Sequence, residues 1–471
     1  MASSNRLTRA DGVAAAALLC AFSVWPATSV RAETLEGALV LAYQNNPSLN
    51  ATRAGVRATD ENVPQALSGY RPRVSLSATG GEQTLYNRSR VAPGIYANSS
   101  AVNSPSSVGA TLTQTLFNGF QTANKTRQAE AQVLSARAGL HTAEQTVLLN
   151  GATAYMNVLR DSAILNLQRR NVEVLQEQLR QTRDRFNVGE VTRTDVAQAE
   201  ASLAAGRSQV LVAESNYKTS VAVYRQVIGV EPRNLAPGTP VDRFSPNTLP
   251  QAISVGTAAN PAVASAQFNV DAAQQQVKVA EGALYPNFSV SASAQRYFLS
   301  TVSPSTIGGY NASLFGTLTV PIYQGGAEYS LIRQAKETLG QRRLDLDTAR
   351  EQTRQNVVQS WGQLEAAKAN IEATTAQVQA AEIALNGVRE EARVGQRTTF
   401  DVLTAQQNLV NARVALVTAQ HDRVVASYTL LANVGRLTPQ VLGLRTPVYS
   451  PQVHYQQVRD SWAGVRIPDG R

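Results

Sequence analysis

The sequence has one cysteine, Cys20, and aromatic residues make up only 6% of it. Cys20 falls inside the apolar run of a secretory leader, so the mature chain is expected to have no thiol and no disulfide, although its compartment would permit them. Leu19 precedes it, where a bacterial lipoprotein signal has a small residue, so Cys20 is not read as an acylation site. The shortage of aromatics argues against one compact core and for long helices in contact through small side chains. The three histidines, His141, His421 and His454, lack metal-ligand spacing, and there is no Gly-rich phosphate loop and no G-x-S-x-G elbow. Nothing points to a cofactor, a metal or an enzyme. Long apolar runs are also missing. The longest, Val13 to Trp25, falls short of the ~20 residues of a membrane helix. With Arg6 and Arg9 before it and Val30-Arg31-Ala32 after it, the run completes a signal peptide over residues 1–32. The formal charge is +9, but the arginines are scattered without a basic cluster or interleaved aromatics. Solvated helix faces explain them, and nucleic acid is not an expected partner.

What the chain does have is an internal repeat. Asn46-Pro47 matches Asn260-Pro261, and Arg71-Pro72-Arg73-Val74 matches Tyr285-Pro286-Asn287-Phe288, both offset by 214. Phe117-Asn118-Gly119 matches Tyr323-Gln324-Gly325 at an offset of 206, which persists through Gly189/Gly395 and Asp195/Asp401 to Gly229/Gly435. The offset changes between residues 78 and 108, which predicts a longer loop in copy one. Copy one spans 33–240, with a helix near 35–66, strands near 71–82 and 108–117, a long helix 121–187 and a return helix 194–229. Copy two spans 241–438, with a helix 249–281, strands near 287–297 and 310–320, a long helix 326–393 and a return helix 400–435. Residues 439–471 read as an irregular tail with no assigned role.

Val158, Leu165, Val172, Leu179 and Phe186 recur every seven residues, as do Val357, Leu364, Ile371, Val378 and Leu385. The return helices repeat the pattern, with Ala199, Gly206, Ala213 and Ser220, then Ala405, Ala412, Ala419 and Ala426, three places after the large residues. Large and small side chains alternating at heptad spacing predict a coiled-coil seam with close helix approach. Arg423 breaks the last series. A helix over 121–187 is about 100 Å long at ~1.5 Å per residue, and the return helix is about half of that. The first helix of each copy has the missing length, so stacking it on the return helix predicts four helical columns per chain. At the turns, Gly189 and Gly395 stand where a helix reverses, and Thr192 and Thr398 precede Asp195 and Asp401 by three, the order of a capping box.

The strands alternate apolar and polar residues, as in Val74, Leu76, Ala78 and in Phe288, Val290, Ala292. Their lengths approach the ~9–11 residues of a transmembrane strand. The segments between them, 83–107 and 298–309, are rich in Ser, Asn, Gly and Tyr and predict exposed loops. Two soluble β-hairpins capping the helices are the alternative. Four strands cannot close a barrel, and edges cannot face lipid. Membrane strands would therefore require oligomerisation, and three chains would supply twelve strands and twelve columns.

The duplicated plan, with RFNVG…TD and RVGQRTTFDVL at the two turns, resembles the TolC family of outer-membrane channel proteins over residues 35–438. The resemblance implies a mixed α and β membrane protein, a homotrimer whose 12-stranded outer-membrane β-barrel continues into a 12-helix periplasmic α-barrel. It implies an exit duct for type I secretion or tripartite efflux, with a periplasmic adaptor, an inner-membrane ABC or RND-type pump and outer-membrane lipid as partners. The absence of a usable lipid-attachment cysteine leans toward the secretion branch. Arg397 is similar to the family's latch arginine, which would reach Thr194 and Asp195, and Asp401 to the first of two constricting aspartates. The second aspartate position holds Thr404, and a latch tyrosine position holds Ala392. Asp195 and Asp401 are equally suited to capping helix N-termini. A soluble periplasmic coiled-coil adaptor without a barrel is the competing function.

Overall fold

A computed structural model describes residues 33–301 and 308–468; the leader assigned to 1–32 lies outside them. The first helical segment is three pieces, α1 (Leu35–Asn45), α2 (Pro47–Asp60) and α3 (Asn62–Leu67). A 3-10 turn, Ser68–Tyr70, leads into β1 (Arg73–Gly80), β2 (Gln83–Ala92) and β3 (Ile95–Asn118). The long helix α4 (Gln121–Asn187) and return helix α5 (Arg193–Ile228) follow. Copy two repeats the order with α6 (Leu249–Ala259), α7 (Pro261–Gly282), β4 (Asn287–Thr301), β5 (Gly309–Thr319), α8 (Ala327–Arg393) and α9 (Thr399–Asn433). No described helix is long and apolar enough to cross a membrane.

The segment 83–107 is not a loop. β1 and β2 pair in turn with one long partner, β3: Arg73–Gly80 against Thr113–Ser106, then Gln83–Arg90 against Asn103–Tyr96. Together they form one broken column, so the antiparallel sheet keeps four columns in the order β1/β2, β3, β4, β5. β3 has 24 residues, more than twice a membrane crossing, so the hairpin tip at Gly94 projects well beyond one. The period-2 signal is hidden because the large residues of Gln83–Ala92 are split between the faces, Leu85 and Val91 on one and Tyr86 on the other, each among polar neighbours. Ladder hydrogen bonds and cross-strand contacts such as Arg88 over the Tyr96 ring, 4.5 Å away, hold it instead. In copy two the strand runs on to Thr301, past the predicted loop start at 298; residues 302–307 lie outside the described residues.

Most heptad positions become the seam, although Phe186, at the tip, is exposed. Val158, Leu165, Leu179, Val357, Leu364 and Leu385 are buried. The small residues opposite allow the approach: a Cβ on Gly206 would lie 2.8 Å from Leu175 Cδ1. Each half-length column is completed by stacking, and one asparagine joins the pieces. Asn46 Oδ1 accepts the Ser48 and Leu49 amides at 3.0 and 3.2 Å, capping α2, while its Nδ2 donates to the Val227 carbonyl at the end of α5, 3.1 Å away. Asn260 does the same in copy two, accepting from Ala262 N at 2.8 Å and donating to Asn433 O at 3.0 Å. Proline at the next position needs no N–H donor in the first helical turn, so the break costs no extra hydrogen bond.

The largest core lies at mid-height, where α1 meets α4, α5 and α9 around Leu39, Tyr43, Leu148, Tyr155, Tyr224 and Leu431. The Tyr155 hydroxyl reaches the Glu33 and Ala236 carbonyls at 2.7 and 2.6 Å, and the Tyr224 hydroxyl donates to Glu33 Oε1 at 2.7 Å. Burial beside Glu33 pushes the Tyr155 phenol up to about 12.

The tail is not irregular throughout. Leu442 and Leu444 enter the mid-height core, and Pro451–Val458 forms a helix, α10, against α2. There His454 Nδ1 lies 3.0 Å from the fully buried Asp60 carboxylate, with Arg137 3.7 Å away. Loss of water raises the Asp60 pKa even though His454 and Arg137 oppose it. The tail lacked a sequence signal because its partners sit about 400 positions away. Arg423, which breaks the heptad, also has its reason here. Its guanidinium forks onto Asp242, with Nη1–Oδ1 at 2.9 Å and a second bond from Nη2 to Oδ2, tying α9 to the connector between the copies.

Candidate functional site

The α4/α5 and α8/α9 turns form the end of the molecule farthest from the sheet. Gly189 and Gly395 take φ +83° and +79°, and a Cβ at either position would meet nothing within 4 Å, so backbone conformation and not space requires glycine there. Each glycine closes a Schellman motif. Gly189 N donates to Phe186 O and Glu190 N to Arg185 O, as Gly395 N does to Ala392 O and Gln396 N to Glu391 O. The next helix then begins with a full capping box. Asp195 N donates to Thr192 Oγ1 at 3.3 Å, and Asp195 Oδ2 accepts Thr192 N at 3.0 Å and Oγ1 at 2.7 Å. Thr398 and Asp401 repeat this at 3.3, 3.0 and 2.9 Å. The Thr192 hydroxyl and then the Thr192 amide hold the Asp195 carboxyl below its ordinary value; for Asp401 the Thr398 amide leads and the hydroxyl follows.

Beyond these shared bonds the two tips differ in charge. In copy one Arg185 pairs with Glu190 at 3.0 Å; in copy two the arginine has moved across the turn, and Arg397 Nε donates to Glu391 Oε2 at 2.8 Å. The Glu391 hydrogen bond pushes the Arg397 guanidinium pKa up. Arg397 is half exposed and makes no bond to Thr194 or Asp195 within the chain among the described residues. Thr194 is exposed and Thr404 also faces solvent, while Ala392 is half-buried.

Several residues that join the hairpins gave no sequence expectation. Leu403 of α9 packs among Leu175, Leu179, Ala199 and Leu203 of the other hairpin. Gln406 accepts from Arg389 at 2.9 Å and donates to Asn171 of α4 at 3.3 Å, where copy one has Glu200 paired within its own hairpin to Arg183. His421 Nε2 lies 2.8 Å from Asn157 Oδ1. The Glu200/Gln406 difference between the copies was the one available signal. The three histidines occupy separate places, beside Glu144, Asn157 and Asp60 respectively.

The family model described as "Outer membrane efflux protein" matches residues 38–230 and 253–436, which is both copies. The chain belongs to this family. It is 43% identical to the outer membrane efflux protein BepC of Brucella suis biovar 1 (strain 1330), over 97% of each chain. It is 28% identical to the outer membrane protein TolC of Escherichia coli (strain K12), over 89% of this chain and 86% of that one. The Campylobacter jejuni CmeC outer membrane channel superposes with a TM-score of 0.74 at 17% identity, covering 90% of this chain and 89% of that one, which establishes the shared fold. The protein is therefore a non-enzymatic outer-membrane channel of the type that serves efflux pumps or type I secretion, reaching into the periplasm. That assignment sets aside the soluble adaptor and the soluble β-cap.

Proposed function

We propose that three copies assemble into one export duct, closed at the hairpin tips and opened by a periplasmic adaptor and an inner-membrane pump. The observation that carries this reading is the sheet with two open edges: β1 and β5 each have a partner on one side only among the described residues. Unpaired backbone cannot face lipid, and four columns are too few to close around a lumen. Pairing β5 of one copy with β1 of the next through three copies gives twelve columns and no edge.

The gate in this reading lies at the tips. Arg397 is the latch, exchanging Glu391 of its own hairpin for Thr194 and Asp195 of hairpin one, and the Asp401 carboxylates of three copies line the constriction. Asp401 has a second duty, since its Oδ2 is engaged by the capping box and Oδ1 remains for a passing cation. With Thr404 in place of a second acidic ring, the closed state depends on Arg397. Arg397→Ser is expected to raise single-channel conductance in planar bilayers, and unchanged conductance removes the latch. A chain that runs as a monomer in unheated SDS electrophoresis and sediments as one in mild detergent would refute the trimer.

A further inference from the structure

The segment after α10 climbs back from the mid-height core to the level where the strands begin. Arg71, between the 3-10 turn and β1, donates through Nη1 to the Ser461 carbonyl, and its guanidinium lies 4.8 Å from the centre of the Trp462 ring. Apart from that contact the segment is bare, with Trp462, Val465 and Ile467 at 72, 100 and 80% exposure. The same level carries Tyr70, Phe120, Tyr285, Ile322 and Tyr323, one or two from each helix–strand junction and all exposed. Directly above it, Val74 and Leu76 of β1 are equally bare. An aromatic ring under an apolar band marks the water–lipid boundary of an outer-membrane barrel.

We infer that residues 461–467 form an interfacial anchor that enters the periplasm-facing phospholipid leaflet of the outer membrane. Trp462, Val465 and Ile467 sink into the acyl boundary, while Arg71, Arg73 and Arg466 meet lipid phosphates. Three features favour lipid over a second copy of the chain. The segment is continuous with the exposed aromatic ring. Its backbone is irregular and offers neither a strand edge nor a helical face to a protein partner. Its surroundings are basic, with Asp460 the one acidic residue in 459–467. A tryptophan whose ring is apolar and whose N–H is polar is suited to that boundary. The anchor would fix the height of the barrel in the bilayer from outside the strands and connect it, through α10 and the buried Asp60–His454 contact, to the mid-height core.

The test uses the full chain reconstituted in phosphatidylethanolamine/phosphatidylglycerol vesicles, with and without bromine on the acyl chains close to the headgroups. Subtracting the Trp462→Phe variant isolates the emission of Trp462. The anchor predicts blue-shifted emission that brominated lipid quenches at least about twofold. Emission at the water-exposed wavelength without quenching overturns it. Blue-shifted emission without quenching also overturns it and assigns the segment to a contact between copies. Bilayer conductance of the variant equal to that of the parent shows that the barrel is inserted, so failure of the anchor is separable from failure of the channel to enter the membrane.

Discussion

The junctions at Asn46 and Asn260 offer a quantitative test of how two short helices substitute for one long column. Replacing Asn260 by Ala removes the acceptor that caps the Ala262 amide and the donor that reaches Asn433 O. Loss of the cap costs about 1 kcal/mol, and loss of the amide–carbonyl bond costs about 1 kcal/mol more, because the Asn433 carbonyl keeps its desolvation without its partner. Asn260→Ser separates the two, since serine caps as well as asparagine but cannot span to α9, and it should cost about half as much as Ala. Asn46→Ala acts on different partners, so the double variant should lose about 4 kcal/mol, additive to within ~0.5 kcal/mol. The assay is guanidinium unfolding of the detergent-solubilised protein, followed by the far-ultraviolet helix signal. An Asn260→Ala variant within ~0.5 kcal/mol of the parent would sink the argument. A serine variant as damaged as the alanine one would show that the cap contributes nothing.

The fork between Arg423 and Asp242 should behave as a coupled pair, with a double-mutant cycle of Arg423→Leu and Asp242→Asn giving an interaction of about 1–3 kcal/mol. Leucine restores the heptad there and should nonetheless lower the thermal midpoint; a raised midpoint would mean that the seam, not the connector, dominates. Asp195 and Asp401 have carboxyls held below the ordinary 3.8, so their capping is complete above that value and is lost as pH falls through the lowered one. Intrinsic-rate-corrected amide exchange in the first turns of α5 and α9 should quicken selectively in that acidic range, and equal protection on both sides of it counts against the boxes. Gly119→Ala drives a Cβ into the Gly282 carbonyl oxygen at a backbone φ of +63°. It should reduce the yield of assembled trimer severalfold in unheated SDS electrophoresis, and a normal yield would show that the β3–α4 junction has slack.

Elements governed by local rules were legible in the residues themselves. The 206-residue offset, the heptads, the turn glycines and the Thr-x-x-Asp boxes are all short-range patterns, and the two tips agree in geometry to within a few degrees and tenths of an ångström. What escaped has in each case a partner far away in sequence or a strand exposed on both faces. Gln83–Ala92 looked like a loop because neither side of that hairpin is buried, so alternation had nothing to sort. The tail looked structureless because His454 is explained only by Asp60, and the defect at Arg423 only by Asp242. At the tip, sequence supplied Arg397 but not its intrachain partner Glu391, nor Leu403 and Gln406, which bind one hairpin to the other.

The sequence by itself determined the duplication, the hairpins and their length, because helix rise, heptad spacing and capping are properties of neighbouring residues. It also determined that one chain cannot finish its own barrel, which follows from counting strands. Only the tertiary structure decided where the short helices break and rejoin, how the tail reaches the mid-height core, and which charges meet at the tips. Those outcomes depend on side chains brought together across hundreds of positions, and no local pattern encodes which of several equally suitable partners a buried or bridging group will find.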